Sequence, residues 1–218
     1  MSLLAPETAR GCPCCGARLE REAPTRWRCA CGHEVETCAP TAATVAEIAR
    51  HDARVAIAGL ETDVAGLGRV TSILDASAST GAFVAAARRA GIVAFGIEAV
   101  AARREAAVAL YGVELDDGAL ERHALRLRSV DVVVHRRLGE VLDPGGLLGL
   151  IGRSIGPRTR ALLEVPWRGA SDAPPGVGEV LHRFDAAGVE RALWRAGLVP
   201  IDLHVRDDGA LVAAATRR

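Results

Sequence analysis

Apolar residues follow two rhythms along this chain. From residue 41 to about residue 67, Val45, Ala49, Ala53, Ala56, Leu60, Val64 and Leu67 recur at steps of three and four. That spacing puts them on one stripe of one or two helices, with Gly59 and Gly66 as points where the helix can break. Beyond it, short apolar runs alternate with helical patterns: residues 70–76, 92–97, 130–134 and 161–165 read as strands, and 81–90, 100–110 and 147–155 as helices. After a Pro- and Gly-rich stretch at 167–178, residues 185–196 read as a helix and 198–205 and 210–215 as strands, with Asp207-Asp208-Gly209 as the turn between them. Near-continuous apolar runs suit strands covered on both faces. The pattern therefore predicts an α/β fold with a mainly parallel sheet ending in an antiparallel pair.

The first 38 residues carry a different signal. All six cysteines lie between Cys12 and Cys38, and the remaining 180 residues have none. Such clustering points to a metal rather than to a disulfide framework. Cys12 and Cys15 form one C-x-x-C knuckle, and Cys29 with Cys31 supplies a second pair. Gly16 and Gly32 follow and permit the tight turns that aim two sulfurs at one ion. Four thiolates on two turns resemble a structural zinc ribbon, with no open position for chemistry. Cys14 is spare in the first knuckle. The second knuckle is one residue short, so Cys38 or His33 remains an alternative to Cys29 or Cys31.

A chain of 218 residues allows one ordinary domain with a small appendage. The expected division is a ribbon-like module at 1–38, a helical linker at 39–68 and the α/β domain at 69–218. Twenty-seven basic residues, all Arg, balance 27 acidic ones. A catalytic lysine is excluded, and no net field draws nucleic acid or an anionic membrane, so nucleic acid is a disfavoured partner. No apolar run reaches the ~20 residues of a membrane span, and Glu7, Thr8 and Arg10 interrupt any secretory signal, so a cytoplasmic protein is expected.

The most informative segment is Asp75-Ala76-Ser77-Ala78-Ser79-Thr80-Gly81. It sets an acid at a strand end, small residues in the turn, and Gly81 at a helix start, so that backbone N–H groups can approach a nucleoside-bearing ligand. Glu98 closes the next strand pattern, where a carboxylate can accept bonds from both ribose hydroxyls.

With these motifs the chain resembles the class I S-adenosylmethionine-dependent methyltransferases. Asp75 to Gly81 matches the family's first motif and Gly96-Ile97-Glu98 its acidic second. Asp131-Val132-Val133-Val134 with Glu140, Asp143-Pro144 and Leu147-Leu148 looks like its fourth strand and the helix after it, and Leu162-Leu163-Glu164-Val165-Pro166 like its fifth strand. The resemblance implies a Rossmann-like seven-stranded sheet of order 3-2-1-4-5-7-6. It also implies S-adenosylmethionine as cofactor, bound by Asp75, Ser77, Ala78, Ser79, Gly81 and Glu98, with Asp116 or Asp117 near the adenine. A zinc-binding segment before the fold occurs in some members, including sugar C-methyltransferases and a ribosomal RNA guanine methyltransferase.

Two departures stand out. Ser77 occupies the place of the family's first turn glycine, where a Cβ is expected to crowd the ligand or demand an altered backbone angle. The His-x-x-x-His signature of many relatives is replaced by His135-Arg136-Arg137-Leu138-Gly139. The implied function is methyl transfer to a small-molecule acceptor, with His135 and His182 as candidate bases. A ribosomal RNA methyltransferase and a noncatalytic methyltransferase-like scaffold are the alternatives.

Overall fold

The computed structural model describes residues 11–23, 26–37, 45–166, 180–207 and 209–218. Its main sheet has six strands in the order β5-β4-β6-β7-β10-β9. They are β4 (Ser72–Asp75), β5 (Val93–Gly96), β6 (Val132–His135), β7 (Arg160–Pro166), β9 (Leu198–Val205) and β10 (Ala210–Arg217). The first four strands in that order pair in parallel, and β10 inserts antiparallel between β7 and β9. The α/β reading with an antiparallel end is thus the observed architecture.

Alternation along the central strands splits the core between two faces. Ile73, Val132 and Val134 pack with Phe83 on one face, while Leu74, Val133 and Leu163 pack with Ile151 and Leu193 on the other. Helix α2 (Ala82–Arg89) covers the first face, and α5 (Pro144–Ser154) and α6 (Ala186–Arg195) the second. Local chemistry fixes where these helices start. Asp143 accepts from the Gly146 N–H at 2.9 Å ahead of Pro144, and Asp185 accepts from the Gly188 N–H at 2.6 Å. Helix α5 therefore begins three residues before its apolar pattern does.

Three expectations are corrected. The expected seventh strand is absent among the described residues: after α3 (Ala101–Tyr111) the chain makes only the isolated bridge Ile97–Asp116 beside β5. Asp116, Asp117 and Gly118 end the pairing at once, since adjacent charges and a glycine disfavour an extended edge. The chain continues through a short 3-10 turn and α4 (Ala124–Ser129), which the sequence pattern did not announce. Trp194, a large aromatic on the helix at 185–196 that reads most simply as core, is 46% exposed on α6.

The third correction concerns α1 (Val45–Ala58), which runs into a π-helical turn at Gly59–Val64. Its buried stripe is Ile48, Ala49, Asp52 and Ala56, and Ala53 faces outward. Two buried aspartates, Asp52 and Asp63, thus replace apolar positions on this segment. Asp63 meets Arg206 at 2.8 Å from the β9–β10 hairpin.

A second sheet has four strands, ordered β1-β2-β3-β8. β1 (Glu20–Ala23), β2 (Arg26–Arg28) and β3 (Glu34–Thr37) come from the cysteine-bearing segment, but β8 (Val180–Arg183) comes from far along the chain. It pairs antiparallel with β3, from Glu34 opposite Arg183 to Thr37 opposite Val180. Arg191 of α6 also donates to the Cys31 carbonyl at 3.0 Å. These contacts seat the ribbon on the α5–α6 face of the body.

Candidate active site and metal centre

β4 delivers Asp75 to the carboxyl end of the sheet, fully buried. Three backbone bonds pin the turn between neighbouring strands: Ala76 N–H to Val134 O at 2.8 Å, Ala78 N–H to Ile97 O at 3.0 Å, and Ile97 N–H to Asp75 O at 2.9 Å. Asp75 Oδ1 accepts from the Ser77 N–H at 3.0 Å, while its Oδ2 has no partner among the described residues. Burial pushes the Asp75 carboxyl up from the ordinary range, and the nearby Arg136 charge opposes that rise.

The expected strain at Ser77 lies elsewhere. Ser79, at φ 50°, is the only described non-glycine residue with a positive φ. Ser77 instead uses its hydroxyl twice, donating to Asp75 Oδ1 at 3.4 Å and accepting from the Arg136 N–H at 2.8 Å. Gly81 has φ 78°, and a Cβ there would lie 2.9 Å from the Ala107 Cβ. At Gly96 a Cβ would come within 2.5 Å of Leu115 and 2.8 Å of Ala78, so the turn and β5 close on each other only over glycine.

Glu98 and Asp116 are brought together. The Glu98 N–H donates to Asp116 O at 3.0 Å and the Asp116 N–H to Gly96 O at 2.9 Å. Glu98 is 7% exposed, its Oε1 accepts from the Val100 N–H at 2.8 Å, and its Oε2 lies 3.7 Å from Arg103. The Asp116 carboxylate is paired with Arg126, which also covers the Phe95 ring. Asp75, Glu98 and Asp116 therefore stand at the ends of three adjacent chain segments on one edge of the sheet.

The two candidate bases are separated. His135 ends β6 next to the turn, is buried, and its Nδ1 finds no hydrogen-bond partner among the described residues. Burial, reinforced by the Arg137 charge, pushes it down to about 4. His182 lies in the other sheet, where its Nδ1 sits 3.1 Å from His33 Nε2 and both rings stack near Phe184. Burial takes His182 down to about 4 and, with His182 beside it, His33 to about 3. Both candidate bases are neutral imidazoles near neutral pH.

Sequence reasoning passed over the polar groups that face the turn from α1 and from the loop after β6. Asp52 accepts from the Thr80 hydroxyl at 2.8 Å and from Arg137 at 3.2 Å, and Arg137 also pairs with Glu140 at 3.0 Å. Burial alone would raise the Asp52 carboxyl, but Arg137 and Thr80 hold it below the ordinary range. An acid one residue from the predicted apolar stripe was the available signal. Arg136 lies with its guanidinium carbon 4.8 Å from the Phe83 ring centroid, and its Nε and Nη1 are buried without partners among the described residues.

The four cysteines of the sequence reading converge. Cys12, Cys15, Cys29 and Cys31 bring their sulfurs within 4.8 Å of one another. Contacts cross between the knuckles, Cys12 to Cys31 at 3.5 Å and Cys15 to Cys29 at 3.4 Å, so both pairs face one point, as four thiolates on a single soft metal would. Burial disfavours ionisation at Cys31, yet the His33 backbone and the other three thiols outweigh it and bring Cys31 down to about 7. Cys14 is buried outside this cluster, against Gly188 of α6, and Cys38 lies outside the described residues. His33 is turned toward His182.

No protein-family model and no curated protein matches the chain. Solved structures do. The Burkholderia thailandensis 1,6-didemethyltoxoflavin-N1-methyltransferase, solved with 1,6-didemethyltoxoflavin and S-adenosylhomocysteine, aligns with 92% of this chain and 99% of its own at 17% identity and a TM-score of 0.57. An S-adenosylmethionine-dependent methyltransferase from Corynebacterium glutamicum aligns with 80% and 98% at 20% identity and a TM-score of 0.57. The N,N-8-amino-8-demethyl-D-riboflavin dimethyltransferase of Streptomyces davawensis aligns with 79% of this chain and 56% of its own, at 22% identity and a TM-score of 0.63. The fold is that of the S-adenosylmethionine-dependent methyltransferases.

Proposed function

We propose that this protein transfers a methyl group from S-adenosylmethionine to a small-molecule acceptor in the cytoplasm, and that its ribbon holds one structural zinc. The observation that carries the catalytic part is the sheet edge itself. A fully buried Asp75 keeps an unpartnered Oδ2 beside a turn that closes only over Gly81 and Gly96, with Glu98 and Asp116 on the adjoining segment. Buried acceptors without partners are rare in folded proteins and suit a polar ligand that supplies the donors. The single bridge at Asp116 then stands where strand 3 of the order 3-2-1-4-5-7-6 would run. The division into residues 1–38, 39–68 and 69–218 is kept as a proposal, with β8 joining the first unit's sheet.

When bound, the cofactor supplies a methyl group already activated on a sulfonium, so the protein's main task is alignment. Glu98 accepts from the ribose hydroxyls, the turn from Asp75 through Ser77, Ala78 and Ser79 to Gly81 receives the methionine end, and Asp116 borders the adenine. A group with the low proton affinity of His135 is a weak base at neutral pH. An amine acceptor, or an acceptor that arrives ionised, suits this site better than a hydroxyl that must be deprotonated. A small acceptor is favoured over RNA because Arg28 of the ribbon is paired with Glu22 and Glu34. The Burkholderia and Streptomyces neighbours are themselves named for small acceptors, 1,6-didemethyltoxoflavin and 8-amino-8-demethyl-D-riboflavin.

For zinc, four converging thiols fit the ion, and Cys12, Cys15, Cys29 and Cys31 would hold it with no position left for substrate. The test of the catalytic part is calorimetric titration with S-adenosylmethionine and S-adenosylhomocysteine. Saturable one-to-one binding is expected, and no binding of either at millimolar concentration sinks the proposal.

A further inference from the structure

Adjacent arginines after β6 have opposite fates. Arg137 is paired on both sides, with Asp52 and Glu140, whereas Arg136 buries Nε and Nη1 with no acceptor for their protons among the described residues. The Arg136 side chain is nevertheless held in place. Its plane lies over Phe83 at 4.8 Å, and its backbone N–H is fixed by the Ser77 hydroxyl at 2.8 Å. Asp75, bonded to the same Ser77 hydroxyl, is fully buried, and its Oδ2 has no partner among the described residues. One hydroxyl thus joins a residue bearing a cation to one bearing an acid, with Arg136 Nε and Nη1 and Asp75 Oδ2 making no hydrogen bond to one another. Leaving such donors and acceptors buried and unmet is costly, so a ligand that supplies both charges on neighbouring atoms is favoured.

We propose that Arg136 binds the carboxylate of the cofactor's amino-acid end, opposite Asp75 at its ammonium, and that Ser77 is the positioning residue that sets Arg136 there. This rests on the S-adenosylmethionine function proposed above. Topology supports the direction of the ligand: Glu98 follows β5, Asp75 ends β4 and Arg136 follows β6, in that order across neighbouring parallel strands. The nucleoside end lies at the first and the amino-acid end at the last. Ser77, the departure from the family glycine, is then a fitted part of the site. Its hydroxyl joins Asp75 to Arg136, a link that glycine cannot make.

The experiment titrates the zinc-loaded full chain with S-adenosylhomocysteine and with methylthioadenosine, which keeps the nucleoside and lacks the amino-acid end. For Arg136→Gln, affinity for S-adenosylhomocysteine should fall tenfold or more while affinity for methylthioadenosine stays within about twofold, since only the first presents a carboxylate. Arg136→Lys, which keeps the charge, should fall between wild type and Arg136→Gln and guards against a folding defect in the latter. Ser77→Gly should weaken S-adenosylhomocysteine several-fold and spare methylthioadenosine, the opposite of what restoring a family glycine would do if serine crowded the ligand. Equal losses for both ligands, or unchanged S-adenosylhomocysteine binding in Arg136→Gln, would overturn the assignment and leave Arg136 to the acceptor or to the surface. If wild type binds neither compound, the cofactor function fails first and this assignment falls with it.

Discussion

Strands β4 and β6 bury Ile73, Leu74 and Asp75 and every residue from Val132 to His135, whereas β1 and β2 leave Glu20, Arg21, Glu22, Arg26 and Arg28 in solvent. The body has two apolar faces to cover with helices. The ribbon has little besides Val35, the buried Cys12 and Cys29, and its seam with α5 and α6. One region is stabilised by area removed from water, at ~25 cal/mol per Å², whereas the other has four converging sulfurs and, on the function proposed above, draws its stability from the ion they would hold. The comparison teaches that a single chain can divide its stability between two currencies that respond to different perturbations.

Removing metal should break the comparison most sharply. Structural zinc contributes about 10 kcal/mol or more in small ribbon-like peptides, so chelation should strip amide protection from β1, β2, β3 and also β8 while sparing β4 and β6. Hydrogen exchange with peptide-level resolution reads this directly, and uniform protection after chelation would refute it.

The converse perturbation is Leu163→Ala. Leu163 is fully buried in β7, so truncation should cost about 2–5 kcal/mol of body stability by urea denaturation. Zinc stoichiometry should be unchanged in the folded protein.

Acid should also act on the body first at His135. Its folded value is depressed to about 4, so from the ordinary ~6.5 downward the unfolded chain takes up a proton that the folded one refuses. Stability on this account is present above that ordinary value and is lost as pH falls toward about 4. His135→Gln should flatten that part of the stability curve by an amount on the order of a few kcal/mol, with parallel curves counting against it.

The smallest effect in energy is Glu98→Ala, which should leave both regions folded. It should weaken S-adenosylhomocysteine roughly tenfold or more, ~1.4 kcal/mol, and equal affinity with intact fold would remove Glu98 from the cofactor site.

Much of this was legible in the residues. The runs at Ile73-Leu74 and Val132-Val133-Val134 are apolar because both sheet faces are covered, and that is what makes parallel strands readable. The cysteine quartet was readable because metal geometry demands a short spacing. What was not legible depends on distant partners. Val180-Leu181-His182-Arg183 carries no clear strand pattern and extends only because β3 offers it a free edge. Asp52 sits one place off the apolar stripe, and only Thr80 and Arg137, distant in sequence, allow it to be buried. Arg136 read as one more arginine among 27, and only the contrast with a fully paired Arg137 singles it out.

The pairing of β3 with β8 has a consequence for synthesis. Thr37 leaves the ribosome 143 residues before Val180, its partner. At ~5–20 residues per second, that is a wait of roughly 7 to 30 seconds. During that time the cysteine segment can take up metal, but its sheet lacks the outer strand and its seam with α6 does not yet exist. The region made first therefore stays incomplete until most of the chain has been made, and its sheet closes only when β8 follows β7 out of the ribosome, shortly before β9 and β10 complete the body.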